Sequence, residues 1–87
     1  MFVLGDKVRV IQRDDEYLRY PEGPHGDMRL AAEVWHWPGC VCSPRDNTPA
    51  GHHVVIFQHT CHYTLMTIPA KDLVHGVRVS ARRLEGK

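Results

Sequence analysis

The side chains best suited to chemistry in this 87-residue chain are thiols and imidazoles, grouped as Cys40-x-Cys42 and His59-x-Cys61-His62. Alternate residues of an extended chain share a face, so Cys40 and Cys42 can reach one ion together. With Cys61 and a histidine such as His59 they would make a thiolate–imidazole set of the kind that holds tetrahedral Zn²⁺. The spacing argues against it, because paired zinc cysteines are ordinarily separated by two to four residues. Cysteine also serves as a small core residue. The expectation is therefore inert thiols and no cofactor, with a zinc-stabilised domain held as the alternative on Cys40, Cys42, His59 and Cys61.

The other histidines (His25, His36, His52, His53, His62 and His75) show no HExxH-like spacing, and lone histidines at strand ends are most often hydrogen-bonded structural groups. For nucleophilic catalysis Cys61 needs a base. His62 would point to the opposite face of a strand, which leaves His59, two residues back. No oxyanion donor accompanies them, and no convergent acid, base and nucleophile stand together. The chain reads as non-catalytic. Acids at Asp14, Asp15 and Glu16 beside Tyr17 and Tyr20 form the remaining polar cluster. They suit a basic or proline-rich partner segment, although aromatics in a long loop also serve to pin it down.

These groups need a scaffold, and its opening stretch is residues 2–11, FVLGDKVRVI. A Gly5–Asp6 turn leads into a strand with Val8 and Val10 on the core face and Lys7 and Arg9 on the other. Residues 12–28 read as a long polar loop, since Pro21, Gly23, Pro24 and Gly26 break both strand and helix. A second strand is expected over 29–37, with Leu30, Ala32, Val34 and His36 inward and both Trp35 and Trp37 outward. A second loop follows over 38–51, and then a third strand over 52–58, apolar on both faces. The chain bends at Thr60, Cys61 and His62 into a fourth strand over 63–68, stopped by Pro69. Residues 70–74 read as one 3₁₀ turn. A fifth strand, 75–80, puts Val77 and Val79 inward, and 81–87 is a basic tail.

The Gly-Asp-Lys-Val-Arg-Val opening, the long first loop, three central strands and the closing Ile68-Pro69-Ala70-Lys71-Asp72-Leu73 resemble an SH3-like barrel over residues 2–80. The fold expected is all-β: a five-stranded SH3-like barrel with a 3₁₀ turn before its last strand, one domain over 1–80. Two families on that barrel are similar in part. The nitrile hydratase β subunit shares the opening and a long Pro/Gly-containing loop, but its metal cysteines lie on a partner subunit. The type II dihydrofolate reductases resemble this chain in length, in the opening Gly5–Arg9 and in the closing Ile68–Leu73. That resemblance implies an enzyme whose site forms between subunits. Their Val-Gln-Ile-Tyr motif, however, is here Leu65-Met66-Thr67-Ile68, without the glutamine and tyrosine that hold pterin and nicotinamide.

On the expected strands Trp35, Trp37, Val54, Ile56 and Leu65 share the outward face, where an antiparallel sheet is normally polar. An apolar patch of that size marks an interaction surface, and both loops are too polar to cover it. A second copy of the chain is the expected cover, making a homo-oligomeric binding module. A net charge of +1 provides no field that would draw nucleic acid or an anionic membrane. Arg78, Arg82, Arg83 and Lys87 are expected to be a solvated tail. No run reaches the ~18 apolar residues of a membrane span, and no signal-like apolar segment opens the chain. A cytoplasmic protein with reduced thiols is expected.

Overall fold

The computed structural model describes residues 2–12, 15–23 and 26–76. The fold is all-β, with one helical turn and one 3₁₀ turn. Among the described residues seven strands rather than five form a single antiparallel sheet: β1 (Lys7–Val10), β2 (Arg19–Glu22), β3 (Asp27–Leu30), β4 (Gly39–Cys42), β5 (His52–His59), β6 (His62–Pro69) and β7 (Leu73–His75). Their order is β3-β2-β6-β5-β4-β1-β7, and the sheet is unclosed among the described residues.

β1 follows the expected pattern, with Val8 and Val10 buried and Lys7 exposed. Gly5 turns the chain before it at φ +92, and the Asp6 carboxylate accepts the Val3 N–H at 2.9 Å. The Gly5 N–H donates to the Val41 carbonyl and the Val41 N–H to the Asp6 carbonyl, which fastens this turn to β4.

The expected 12–28 loop contains a β-hairpin. β2 and β3 pair from Arg19↔Leu30 to Glu22↔Asp27, and β2 joins β6 at Glu22↔Met66. Two of the turn formers mark the hairpin's end, Gly23 at φ +67 and Gly26 at φ +77, so they punctuate strands instead of excluding them. The expected strand over 29–37 ends early. After Leu30 the chain makes one helical turn, α1 (Ala31–Val34). Ala31, Val34 and Trp37 are buried while Ala32, Glu33, Trp35 and His36 are exposed, a spacing of three instead of two. Ala-Ala-Glu favours the helix intrinsically, and packing of the three-residue stripe settles it. Trp37, expected outward, is therefore core.

β4 lies within the expected 38–51 loop. It is held on both sides, by β1 at Lys7↔Cys40 and by β5 from Gly39↔Phe57 to Cys42↔Val54. Gly39 is required there: a Cβ would stand 2.8 Å from the side chains of both Phe57 and Val55. β5 and β6 form the longest ladder, from His52↔Pro69 to His59↔His62. The expected 3₁₀ turn is present at Ala70–Asp72. β7 starts earlier than the expected 75–80 strand. Val77, Val79 and the 81–87 tail lie outside the described residues. The core comprises Val8, Val10, Tyr20, Ala31, Val34, Trp37, Val41, Val55, Phe57, Met66, Ile68 and Leu73, with Phe2 and Leu18 packed against it.

Two substitutions test this packing. Gly39→Ala forces the Phe57 and Val55 side chains aside and should destabilise by about 1–3 kcal/mol in chemical denaturation. Thr60, a β-branched residue in the two-residue β5–β6 loop, has φ 54, a left-handed conformation that glycine adopts without cost. Thr60→Gly should raise stability by about 0.5–1 kcal/mol in the same measurement.

Candidate functional site

A groove of about 550 Å³ opens on the outer side of the β5–β6 ladder. Its floor is the side chains of Val54, Leu65 and Thr67 with the β6 backbone at Met66 between them. One wall is Gly23 at the end of the β2–β3 hairpin, and the other is Arg45, Asp46 and Asn47 from the loop before β5. That loop is braced by its own turn: the Arg45 N–H donates to Thr48 Oγ1 at 2.8 Å, and the Thr48 N–H donates back to the Arg45 carbonyl at 3.0 Å. An apolar floor with a few polar groups at the rim is the general form of a small-ligand or peptide site.

The expected interface residues divide between two places. Val54, Ile56 and Leu65 do share the outer face, since Ile56 pairs with Leu65 across β5–β6 and Val54 with Thr67. Val54 is nevertheless only 4% exposed, while Ile56 and Leu65 are half-buried. The chain's own hairpin and loop supply part of the cover that a second copy was expected to provide. The two tryptophans do not join this strip. Trp35 sits on the exposed side of α1, and Trp37 stacks on His59 with ring centroids 4.2 Å apart. Arg29 lies against the Trp37 ring at 5.3 Å and bridges to Glu22 at 3.0 Å and to Glu33 at 3.5 Å. Those contacts tie the hairpin, α1 and the core together.

The acid–tyrosine cluster also divides. Asp14 lies outside the described residues. Asp15, Glu16 and Tyr17 are exposed, and the Asp15 carboxylate accepts the Tyr17 N–H at 2.9 Å in a local turn. Tyr20 is 2% exposed, and its hydroxyl donates to the buried Asp72 carboxylate at 2.8 Å. It is a clamp between β2 and the 3₁₀ turn, so it cannot contact a partner. None of these residues lines the groove. The groove's polar rim, Arg45, Asp46 and Asn47, was missed because a loop rich in turn formers shows nothing of which strand face it folds over.

The thiols and imidazoles do not converge on a four-ligand centre. Among the described residues no three Cys, His, Asp or Glu side chains are placed to hold a metal ion. Cys40 pairs with Ile56. His59, an odd number of residues further along β5, faces the opposite side of the sheet and stacks on Trp37. Cys61 is exposed at the hairpin loop, about 16 Å from Ile56 at the rise of an extended chain. The stretch at the position of the reductase motif turns Leu65 and Thr67 toward the groove and buries the Met66 and Ile68 side chains in the core. No helix among the described residues is long and apolar enough to cross a membrane. In comparison with known proteins, the chain matches no family model, no curated protein and no solved structure.

The two tyrosines give a direct contrast. Tyr20→Phe removes the hydroxyl donor to Asp72 and should cost about 1–2 kcal/mol, a fall in Tm of roughly 5–15 °C. Tyr17→Phe should leave Tm unchanged. Equal effects in a thermal melt would contradict the clamp.

Proposed function

We propose that this chain is a non-catalytic binding module on an SH3-like barrel, with the groove beside β5 and β6 as its ligand site. The observation that carries the reading is the groove itself: a floor of Val54, Leu65 and Thr67 under a rim of Arg45, Asp46 and Asn47. The barrel assignment is supported by strand order. β7-β1-β4-β5-β6 run side by side, the β2–β3 hairpin occupies the place of the long first loop, and a 3₁₀ turn precedes β7. In the ligand reading, the Asp46 carboxylate on the rim favours a basic group, and the apolar floor favours an extended proline-containing segment. Self-association belongs to the same proposal. It draws on half-buried Ile56 and Leu65 and on Tyr63, which is 68% exposed on the same ladder.

The test is an NMR titration of the full chain with an arginine- and proline-rich extended peptide. Amide shifts should concentrate at Val54, Leu65, Thr67 and residues 45–47, and Arg45→Glu should alter the affinity while leaving the melt unchanged. Shifts confined elsewhere, or none at millimolar peptide, would refute the site. Sedimentation at tens of micromolar separately reads self-association, which a monomer would exclude. The reductase-like alternative predicts turnover of dihydrofolate with NADPH, and the binding reading predicts none.

A further inference from the structure

The four-ligand arrangement fails because His59 and Cys61 are elsewhere, but the Cys40–Cys42 half of it survives and has geometry of its own. Both thiols are free and half-buried. They occupy alternate positions of β4 beside Ile56 and Val54 on β5, so they share the outer, apolar face of the sheet. Their orientations converge. The Cys40 sulfur points forward along the strand, 3.9 Å from the Val41 carbonyl oxygen. The Cys42 sulfur points back, 3.7 Å from the Cys40 carbonyl oxygen. The sulfurs thus lean toward one another along the strand, the Cys40 sulfur on the β1 side, where the Val41 carbonyl accepts the Gly5 N–H, and the Cys42 sulfur on the β5 side.

We propose that Cys40 and Cys42 form a two-coordinate chelate for a soft monovalent ion, Cu(I). The inference is independent of the groove. Soft thiolates select Cu(I), Zn²⁺ or iron–sulfur clusters, but zinc and clusters demand about four ligands, and among the described residues no third Cys, His, Asp or Glu joins this pair. Cu(I) accepts two thiolates in line. With metal–sulfur bonds of about 2.3 Å the sulfurs must stand no more than about 4.6 Å apart. The two Cα atoms are about 6.6 Å apart at the rise of a strand, within reach by side-chain rotation. A disulfide is less well served, since it draws the Cβ atoms to about 3.8 Å and would pinch a strand that is paired on both sides.

On binding, two S–H groups release their protons to solvent and two Cu–S bonds form, with no change of oxidation state. The product carries one negative charge. Lys7 stands directly across from Cys40 on β1, on the same face, and its ammonium offsets that charge. β4 is paired with β5 at both cysteines and with β1 at Cys40, so the donor pair is held before the ion arrives.

The experiment uses the full reduced chain without oxygen, titrated with Cu(I) from a bicinchoninate complex and then labelled with iodoacetamide and mapped by mass spectrometry. One equivalent of Cu(I) should protect Cys40 and Cys42 and leave Cys61 as reactive as in the metal-free chain. Cys61→Ser should keep the stoichiometry. Cys40→Ser and Cys42→Ser should each weaken binding roughly 100-fold or more, as the second donor of a chelate is lost. Protection of Cys61, half an equivalent with two chains joined through copper, or undiminished binding by Cys42→Ser would each overturn the proposal. Because the protection pattern is read on the unaltered chain, a variant that fails to fold does not blunt the test.

Discussion

The register of the β5–β6 ladder is the constraint on which the rest of the structure depends. The two strands pair over their full length, from His52↔Pro69 to His59↔His62. Side chains alternate with a period of two, so this one alignment sends Val55, Phe57, Met66 and Ile68 into the core and Val54, Ile56, Leu65 and Thr67 outward. Every neighbouring element takes its position from it. β4 can lie against β5 only where Gly39 falls opposite Phe57, because no side chain fits beneath that ring. β2 attaches at Glu22↔Met66. A slip of one residue would bury Thr67 and expose Phe57, removing the core and the groove floor together.

Much of this scaffold was legible in the sequence, and the parts that were not share a cause. β1, β5, β6 and the 3₁₀ turn carry local signals: alternation at Val8 and Val10, a long apolar run at Val54–Phe57, a stop at Pro69. β2 and β3 were hidden because Pro21, Gly23, Pro24 and Gly26 stand close enough to resemble an unbroken loop, when Pro21 sits within β2 and Gly23 and Gly26 mark the hairpin's end. In the Ala31–Trp37 stretch both periods fit, and contact with a distant core chose the helical one. β4 has little strand preference of its own and exists because β1 and β5 pair with it. The site was less legible still. Tyr20 looked like a free aromatic because the carboxylate it meets, Asp72, is 52 residues away. The rim at residues 45–47 became visible only once its loop was placed.

The 3₁₀ turn at Ala70–Asp72 connects features that look separate. Asp72 takes the Tyr20 hydroxyl, which secures the hairpin forming one wall of the groove. The Ala70 N–H donates to the Gly51 carbonyl at 2.8 Å, securing the end of the loop that forms the other wall. The Ile11 N–H donates to the Asp72 carbonyl, which joins the same turn to the end of β1. Both walls therefore hang from three consecutive residues. A change at the turn would alter the groove's width without touching its lining.

The brevity of β3 bears on how copies of this chain can meet. Among the described residues β3 is the outermost strand on its side, and after Asp27–Leu30 the backbone coils at once into α1. A strand arriving from another molecule would find a ladder only four residues long, set with Asp27 and with an Arg29 already committed to Glu22 and Glu33. Such a rail is too short and too charged to template a growing stack. The helical turn thus acts as a terminator of sheet extension on this side of the sheet.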